Sequence, residues 1–245
     1  MVINEYIFDG IPLTTYEQAE GLSKPVIFFF HGFTGDKDKN IMGRGEQLAK
    51  MGFYVVAMDA YLHGQRMPAL EKHRNNPSKY EDIIEIAIHT AMDAKTLFHK
   101  YFKHMTNIET NHYYAYGVSM GSLSAFYLAT IDPLLKALVA LVPTPSFVEY
   151  YKEKAVNYGF NHGFFYEKKI AFYETVDPLL NYSKMQHCNM FLGIGQHDVI
   201  VNPKYAIELQ SKLDRVTVQT YDTGHESTPD MLQHSYNFLK EAINR

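Results

Sequence analysis

Short apolar runs alternate along this chain with longer stretches in which apolar residues recur every three or four positions. "PVIFFF" (25–30) is continuously apolar and bounded by Pro25 and Gly32, as expected of a strand covered on both faces. "FYVVAMD" (53–59), "HYYAYGV" (112–118), "KALVALV" (136–142), "NMFLGIG" (189–195) and "RVTVQTY" (215–221) read as further strands. Near the N-terminus, "VINEYIF" (2–8) and "PLTTYEQ" (12–18) predict a hairpin around Asp9-Gly10, a strong turn dipeptide. Between the strands, helices are predicted over 40–52, 80–102, 121–130, 203–213 and 228–243. The clearest is 80–102. There Ile84, Ala87, Ile88, Ala91, Ala94 or Lys95, and Phe98 fall on one face of a 3.6-residue period. The last helix has Thr228 as its expected N-cap and Pro229 at its first position.

Strands separated by helices imply βαβ units, hence an α/β fold with a mostly parallel sheet and helices on both faces. Ligands of such sheets bind at the carboxyl ends of the strands. The alternation is broken once, over 143–187, an aromatic-rich stretch that reads as helical. It reads as a small helical cap inserted over one end of the sheet within a single domain spanning 1–245.

Composition narrows the field. Apolar residues make up 46% of the 245, enough for a sizeable core. The net charge of −4, with no basic run, speaks against a nucleic-acid surface. Cys188 is the single cysteine, so no intrachain disulfide can form. Unbroken apolar runs such as "VIFFF" are far short of the roughly 20 residues a membrane span needs. "MVINEYIFDGIPLTTY" has neither the basic nor the apolar region of a signal peptide. A soluble protein in a reducing compartment, the cytoplasm, is expected.

The candidate chemistry centres on "YGVSMGS", where Ser119 lies between Gly117 and Gly121 at a strand-to-helix junction. A sharp turn there lifts a serine hydroxyl above the sheet, where it can serve as a nucleophile. The plainer alternative is an N-cap serine in an ordinary turn. A serine nucleophile needs a base, and the base a carboxylate. His225, in "YDTGHESTP" after the last strand, is better placed than His234, which falls inside a helix. Asp198, in the loop after "NMFLGIG", is the first choice of acid, and Asp177 in "ETVDPLL" the second. The backbone amides of Phe33, in "HGFTGD", and of Met120 are the expected oxyanion donors. His31 reads as a structural hydrogen-bonding residue. "DKDKNIMGRGEQ" begins like an EF-hand loop at Asp36, Asp38 and Asn40, but has Ile41 and Gln47 where Gly and Glu are required. No metal and no cofactor is expected, and a phosphate-binding glycine motif is absent from the sequence.

From "VIFFFHGFTG" through "YGVSMGS" and "GQHDVIV" to "TGHESTPDM", the chain resembles α/β-hydrolases, in particular small bacterial esterases related to dienelactone hydrolases and to the catalytic domain of prolyl oligopeptidases. The resemblance implies an α/β-hydrolase fold with Ser119 as nucleophile, Asp198 as acid and His225 as base. It departs from dienelactone hydrolases proper, which carry cysteine where this chain has Ser119. "MDAYLHGQR" is similar to the family's loop after the fourth strand, with Asp59, His63 and Arg66 expected to build a turn and an ion pair. The function expected is a serine carboxylesterase that cleaves small-molecule esters of short acyl chains through an acyl-enzyme. Phe147, Phe164 and Phe165 of the cap are candidates for the substrate pocket. The alternatives are a peptidase or amidase with the same machinery, and a non-catalytic binding protein on a hydrolase fold. No nucleic-acid or membrane partner is expected.

Overall fold

The computed structural model describes residues 1–18, 23–39, 41, 43–69 and 80–244. Among these residues eight strands form one sheet in the order β1-β2-β4-β3-β5-β6-β7-β8. They are β1 (Val2–Phe8), β2 (Ile11–Glu17), β3 (Lys24–Phe30), β4 (Tyr54–Met58), β5 (Ile108–Val118), β6 (Leu135–Leu141), β7 (Asn189–Gly195) and β8 (Val216–Tyr221). The β1–β2 and β2–β4 pairs are antiparallel and all other pairs parallel. The expected hairpin is present, with Asp9 and Gly10 both at positive φ. That is the turn whose twist matches paired strands.

Among the described residues seven α-helices accompany the sheet: α1 (Arg44–Lys50), α2 (Ile83–Lys100), α3 (Met120–Ile131), α4 (Phe147–Tyr158), α5 (Gly163–Val176), α6 (Lys204–Lys212) and α7 (Pro229–Ile243). Strand β3 shows why its sequence is apolar throughout. Val26, Phe28 and Phe30 face a core shared with α2, α3 and α6. Ile27 and Phe29 face a second core under α1 and α7. A strand buried on both sides has no solvent face to mark with polar residues. On α2 the expected stripe is buried from Ile84 to Phe98. At the start of α7, the Thr228 side chain accepts the Met231 amide at 3.2 Å, with Pro229 in the first turn.

Two boundaries differ from expectation by four residues. Helix α1 begins at Arg44, not at 40, because Gly43 is left-handed at φ 73° and cannot continue a helix back from it. Residues 40 and 42 lie outside those described. Strand β5 begins at Ile108 rather than 112, because the buried Ile108 pairs with Lys24 beyond a register break. The polar Glu109 to Asn111 hid this extension. Between β6 and β7, α4 and α5 pack through Phe147, Val148, Tyr151 and Tyr173 against Ile83, Ile84, Ile86 and Ile88 of α2 and Leu123 of α3. They thus lie at the carboxyl ends of the strands. Among the described residues no helix is long and apolar enough to cross a membrane.

Candidate active site

Ser119 occupies the junction between β5 and α3 at φ 53°, ψ −118°. A non-glycine residue there is strained and is held only by its surroundings. Two glycines make the turn possible. A Cβ on Gly117 would strike the Gly121 carbonyl, and a Cβ on Gly121 would strike the Phe30 carbonyl at the end of β3. The glycines therefore let α3 press onto β3 and β5, and the serine hydroxyl is left at the surface of the turn. Ser119 does not cap α3 with its side chain, which disposes of the N-cap alternative.

The Ser119 Oγ lies 2.7 Å from Nε2 of His225. His225 Nδ1 lies 2.7 Å from Oδ2 of Asp198. A carboxylate only accepts, so Nδ1 carries the proton and Nε2 is left as the acceptor facing the hydroxyl. The other carboxylate oxygen of Asp198 accepts the amides of Ile200 and Val201 at 2.9 and 3.0 Å. Burial pushes the Asp198 carboxyl up, but the His225 N–H and these two amides outweigh it and hold the group below its ordinary range. Asp198 is thus an anion that keeps the imidazole in one tautomer.

The loops carrying Asp198 and His225 are locked to each other. The His197 amide donates to the Thr223 carbonyl at 2.9 Å and the Gln196 amide to the Tyr221 carbonyl at 2.8 Å. A Cβ on Gly195 would collide with the Gly224 carbonyl, so only glycine allows the loops this close. The competing residues are elsewhere. His234 Nδ1 meets the Tyr221 hydroxyl at 2.9 Å. Asp177 is buried and accepts the Val148 and Leu180 amides and the Ser146 hydroxyl, which ties the start of α4 to the end of α5.

Phe33 and Met120 line the cavity together with Ser119 and His225. Met120 opens α3, so its amide is one of those a helix leaves without an internal partner. The Phe33 amide has no backbone acceptor among the described residues. Its loop is pinned on both sides. His31 accepts the Ala60 amide at Nε2 (3.0 Å), so its Nδ1 carries the proton that goes to the Gly32 carbonyl at 2.8 Å. Burial pulls the His31 imidazole down to about 4, in keeping with this neutral form. His63 Nε2 lies 2.7 Å from the Phe33 carbonyl, a contact that the sequence did not signal.

Asp59, His63 and Arg66 stand outside the cavity lining. Asp59 accepts the Lys37 and Gln65 amides, and Arg66 pairs with Asp93 at 2.7 Å. Asp36 accepts the Asp38 and Lys39 amides, and Asp38 is bonded by Lys37. Asn40 lies outside the described residues.

The cavity measures about 410 Å³. Its apolar and aromatic lining includes Phe33, Tyr80, Ile83, Leu123, Tyr150, Ile200 and Val201. Arg44, Glu226 and Ser227 lie on the lining as well, with an Arg44–Ser227 hydrogen bond at 3.1 Å. The expected pocket residues of the 143–187 stretch need correction. Phe147 is fully buried against α2 and α3, while Phe164 and Phe165 are 70% and 78% exposed. None of the three lines the cavity; from that stretch, Thr144 and Tyr150 do. Alternation of aromatic and polar residues cannot tell a ring that packs from one that faces a ligand.

A mostly parallel sheet with helices on both faces, a strained serine after β5 and an aspartate–histidine pair after β7 and β8 define the α/β-hydrolase class. Residues 12–225 match the model of the Dienelactone hydrolase family. The chain belongs to that family, and this membership indicates a hydrolase acting on esters. Solved structures with the same fold include the TT1662 protein of Thermus thermophilus, at 16% identity, TM-score 0.75 and full coverage of both chains. Acetyl xylan esterase 1 from a Thermoanaerobacterium species is 15% identical over 98% of this chain and 87% of its own, with TM-score 0.72. Est1E from Butyrivibrio proteoclasticus, solved with ferulic acid bound, is 17% identical over 99% of this chain and 100% of its own, with TM-score 0.68. At these identities the likeness is one of fold. No curated protein matches the chain.

Proposed function

We propose that the protein is a serine carboxylesterase that cleaves small esters of short acyl chains through an acyl-enzyme. The observation that carries this reading is the unbroken line from Ser119 through His225 to Asp198, with both contacts at 2.7 Å. Ser119 Oγ attacks the ester carbonyl carbon while His225 Nε2 takes the hydroxyl proton. Asp198 stabilises the imidazolium that forms, and the Phe33 and Met120 amides receive the oxyanion. Collapse of the tetrahedral adduct expels the alcohol, which leaves with the proton from His225. Water then repeats the sequence and releases the acid.

The cavity supports short substrates, since about 410 Å³ is at the small end of the roughly 300–1,000 Å³ of ligand pockets. Among the structural neighbours one is named an acetyl xylan esterase and another, Est1E, holds ferulic acid, which supports ester chemistry here. In this reading α4 and α5 form a cap, part of a single domain, that closes the apolar lining over Ser119. A fluorophosphonate probe should label Ser119 and a panel of p-nitrophenyl esters should show an optimum between acetyl and about hexanoyl. Ser119→Ala should abolish both. Labelling that persists in a folded Ser119→Ala protein would remove the serine from its role.

A further inference from the structure

The lining of the proposed esterase site holds polar groups that the mechanism does not use, and one of them is the hydroxyl of Tyr150. Tyr150, in the first turn of α4, is 5% exposed and lines the cavity above Ser119. Its hydroxyl makes no hydrogen bond with any described residue. The contrast with Tyr173 is informative. That hydroxyl is sealed from solvent and unpaired. The Tyr150 hydroxyl is not of that kind, and Tyr150 lines the cavity.

The ring is held firmly. Lys154, one turn along α4, places its ammonium 5.2 Å from the centre of the Tyr150 ring and 5.8 Å from that of Tyr80. The same ammonium donates to the Ile200 carbonyl at 2.7 Å, which ties α4 to the loop of Asp198. Lys154 is itself buried. A cation on the face of a phenol draws electron density from the ring and makes the O–H a better donor. Burial raises the Tyr150 phenol far above its ordinary value, so it stays neutral and keeps that proton. A donor with no acceptor among the described residues leaves a hydrogen bond that a substrate atom can complete.

We propose that Tyr150 is a specificity-determining residue that donates a hydrogen bond to a neutral oxygen on the substrate, so that the preferred esters carry an ether, carbonyl or hydroxyl oxygen on the limb held against α4. This inference rests on the esterase reading and sharpens it from short esters to short oxygenated esters. Sites built to bond a polar substrate atom reject the analogue that lacks it far more strongly than apolar pockets reject one methylene.

The test replaces a single methylene by an ether oxygen. p-Nitrophenyl butyrate is compared with p-nitrophenyl methoxyacetate, p-nitrophenyl pentanoate with p-nitrophenyl 3-methoxypropionate, and n-butyl butyrate with 2-methoxyethyl butyrate. For each pair the ratio of kcat/KM, ether to alkyl, is measured in the wild type and in Tyr150→Phe. Intrinsic reactivity cancels between the two proteins. The ratio should fall about tenfold in Tyr150→Phe for at least one pair. A ratio that is the same in both proteins for all three pairs overturns the proposal. The same pairs are titrated by NMR against Ser119→Ala and against Ser119→Ala/Tyr150→Phe, where no turnover is needed. A tenfold binding preference for the ether that needs the Tyr150 hydroxyl supports the proposal even if the wild type hydrolyses none of these esters, an outcome that fails the esterase reading alone. If Tyr150→Phe does not fold, absence of an ether preference in Ser119→Ala still overturns it.

Discussion

The two ends of the cavity are built on different principles. Around Ser119 the backbone does the work. Three close approaches, Gly117 to Gly121, Gly121 to Phe30 and Gly195 to Gly224, draw β3, β5, β7 and the loop after β8 into one cluster. Little freedom remains there, and Ser119 is strained by its neighbours. Over 143–187 side chains do the work. Eleven aromatic rings are spread over two helices and their flanks. Phe147, Tyr151 and Tyr173 fill a core, Phe164 and Phe165 are in solvent, and Tyr150 meets the cavity. The lesson is that a backbone constraint leaves a residue-type signature at fixed spacing, whereas a packing choice leaves only composition.

The largest expected effect separates the two buried aspartates, one from each region. Asp198→Asn should lose about four orders of magnitude in kcat, because the imidazole is left in the wrong tautomer. Asp177→Asn should keep turnover within a few-fold but unfold more readily, by about 1–3 kcal/mol, because it weakens the tie between α4 and α5. Rates and denaturation midpoints measured on both variants decide it. A collapse of turnover in a folded Asp177→Asn protein would break the division between the regions.

Next is the packing of the aromatic region. Phe147→Ala removes a fully buried ring and should cost about 3–5 kcal/mol in a urea titration. If the cost is below about 1 kcal/mol, α4 is not packed as described.

His31 tests the rigid end through pH. In the folded protein its imidazole titrates at about 4, against 6.5 for the free side chain. Between these values the unfolded chain binds more protons than the folded one, so stability rises with pH. It should be complete above about 6.5 and fall by roughly 3 kcal/mol as the pH drops to 4. Urea midpoints across that window should show this fall in the wild type and a smaller one in His31→Asn. Equal slopes would mean that His31 is not the buried neutral group that pins the Gly32 loop.

The smallest effect is expected at the exposed pair. Phe165→Ala should change stability by less than about 0.5 kcal/mol and leave the acyl-length profile of p-nitrophenyl ester hydrolysis where it is. A shift in that profile would return Phe165 to the substrate pocket.

Much of the architecture was legible in the residue pattern. The strands from "PVIFFF" to "RVTVQTY" and the stripe on α2 could be read because burial on one or both faces forces their periodicity. Where an edge depended on one paired residue, as at Ile108, the pattern fell short. Ser119, His225 and Asp198 could be chosen among 10 serines, 12 histidines and many acids because each follows a strand at the carboxyl end of the sheet. Their contacts could not be read, since they bring together atoms 106 and 27 residues apart. The His63 contact to the Phe33 carbonyl left no trace in either local sequence.

By itself, then, the sequence determined the order of strands and helices, the strained turn at Ser119 and the loops that carry His225 and Asp198. These are set by short-range rules: the period of burial, and the few residue types that a left-handed or crowded backbone accepts. Only the tertiary structure decided which aromatic of 143–187 faces Ser119, that Tyr80 and Ile83 join it there, and that Lys154 stands behind Tyr150. Those outcomes depend on how two helices settle on a core made from distant segments, and a ring that is buried, exposed or facing a ligand is the same letter in each case.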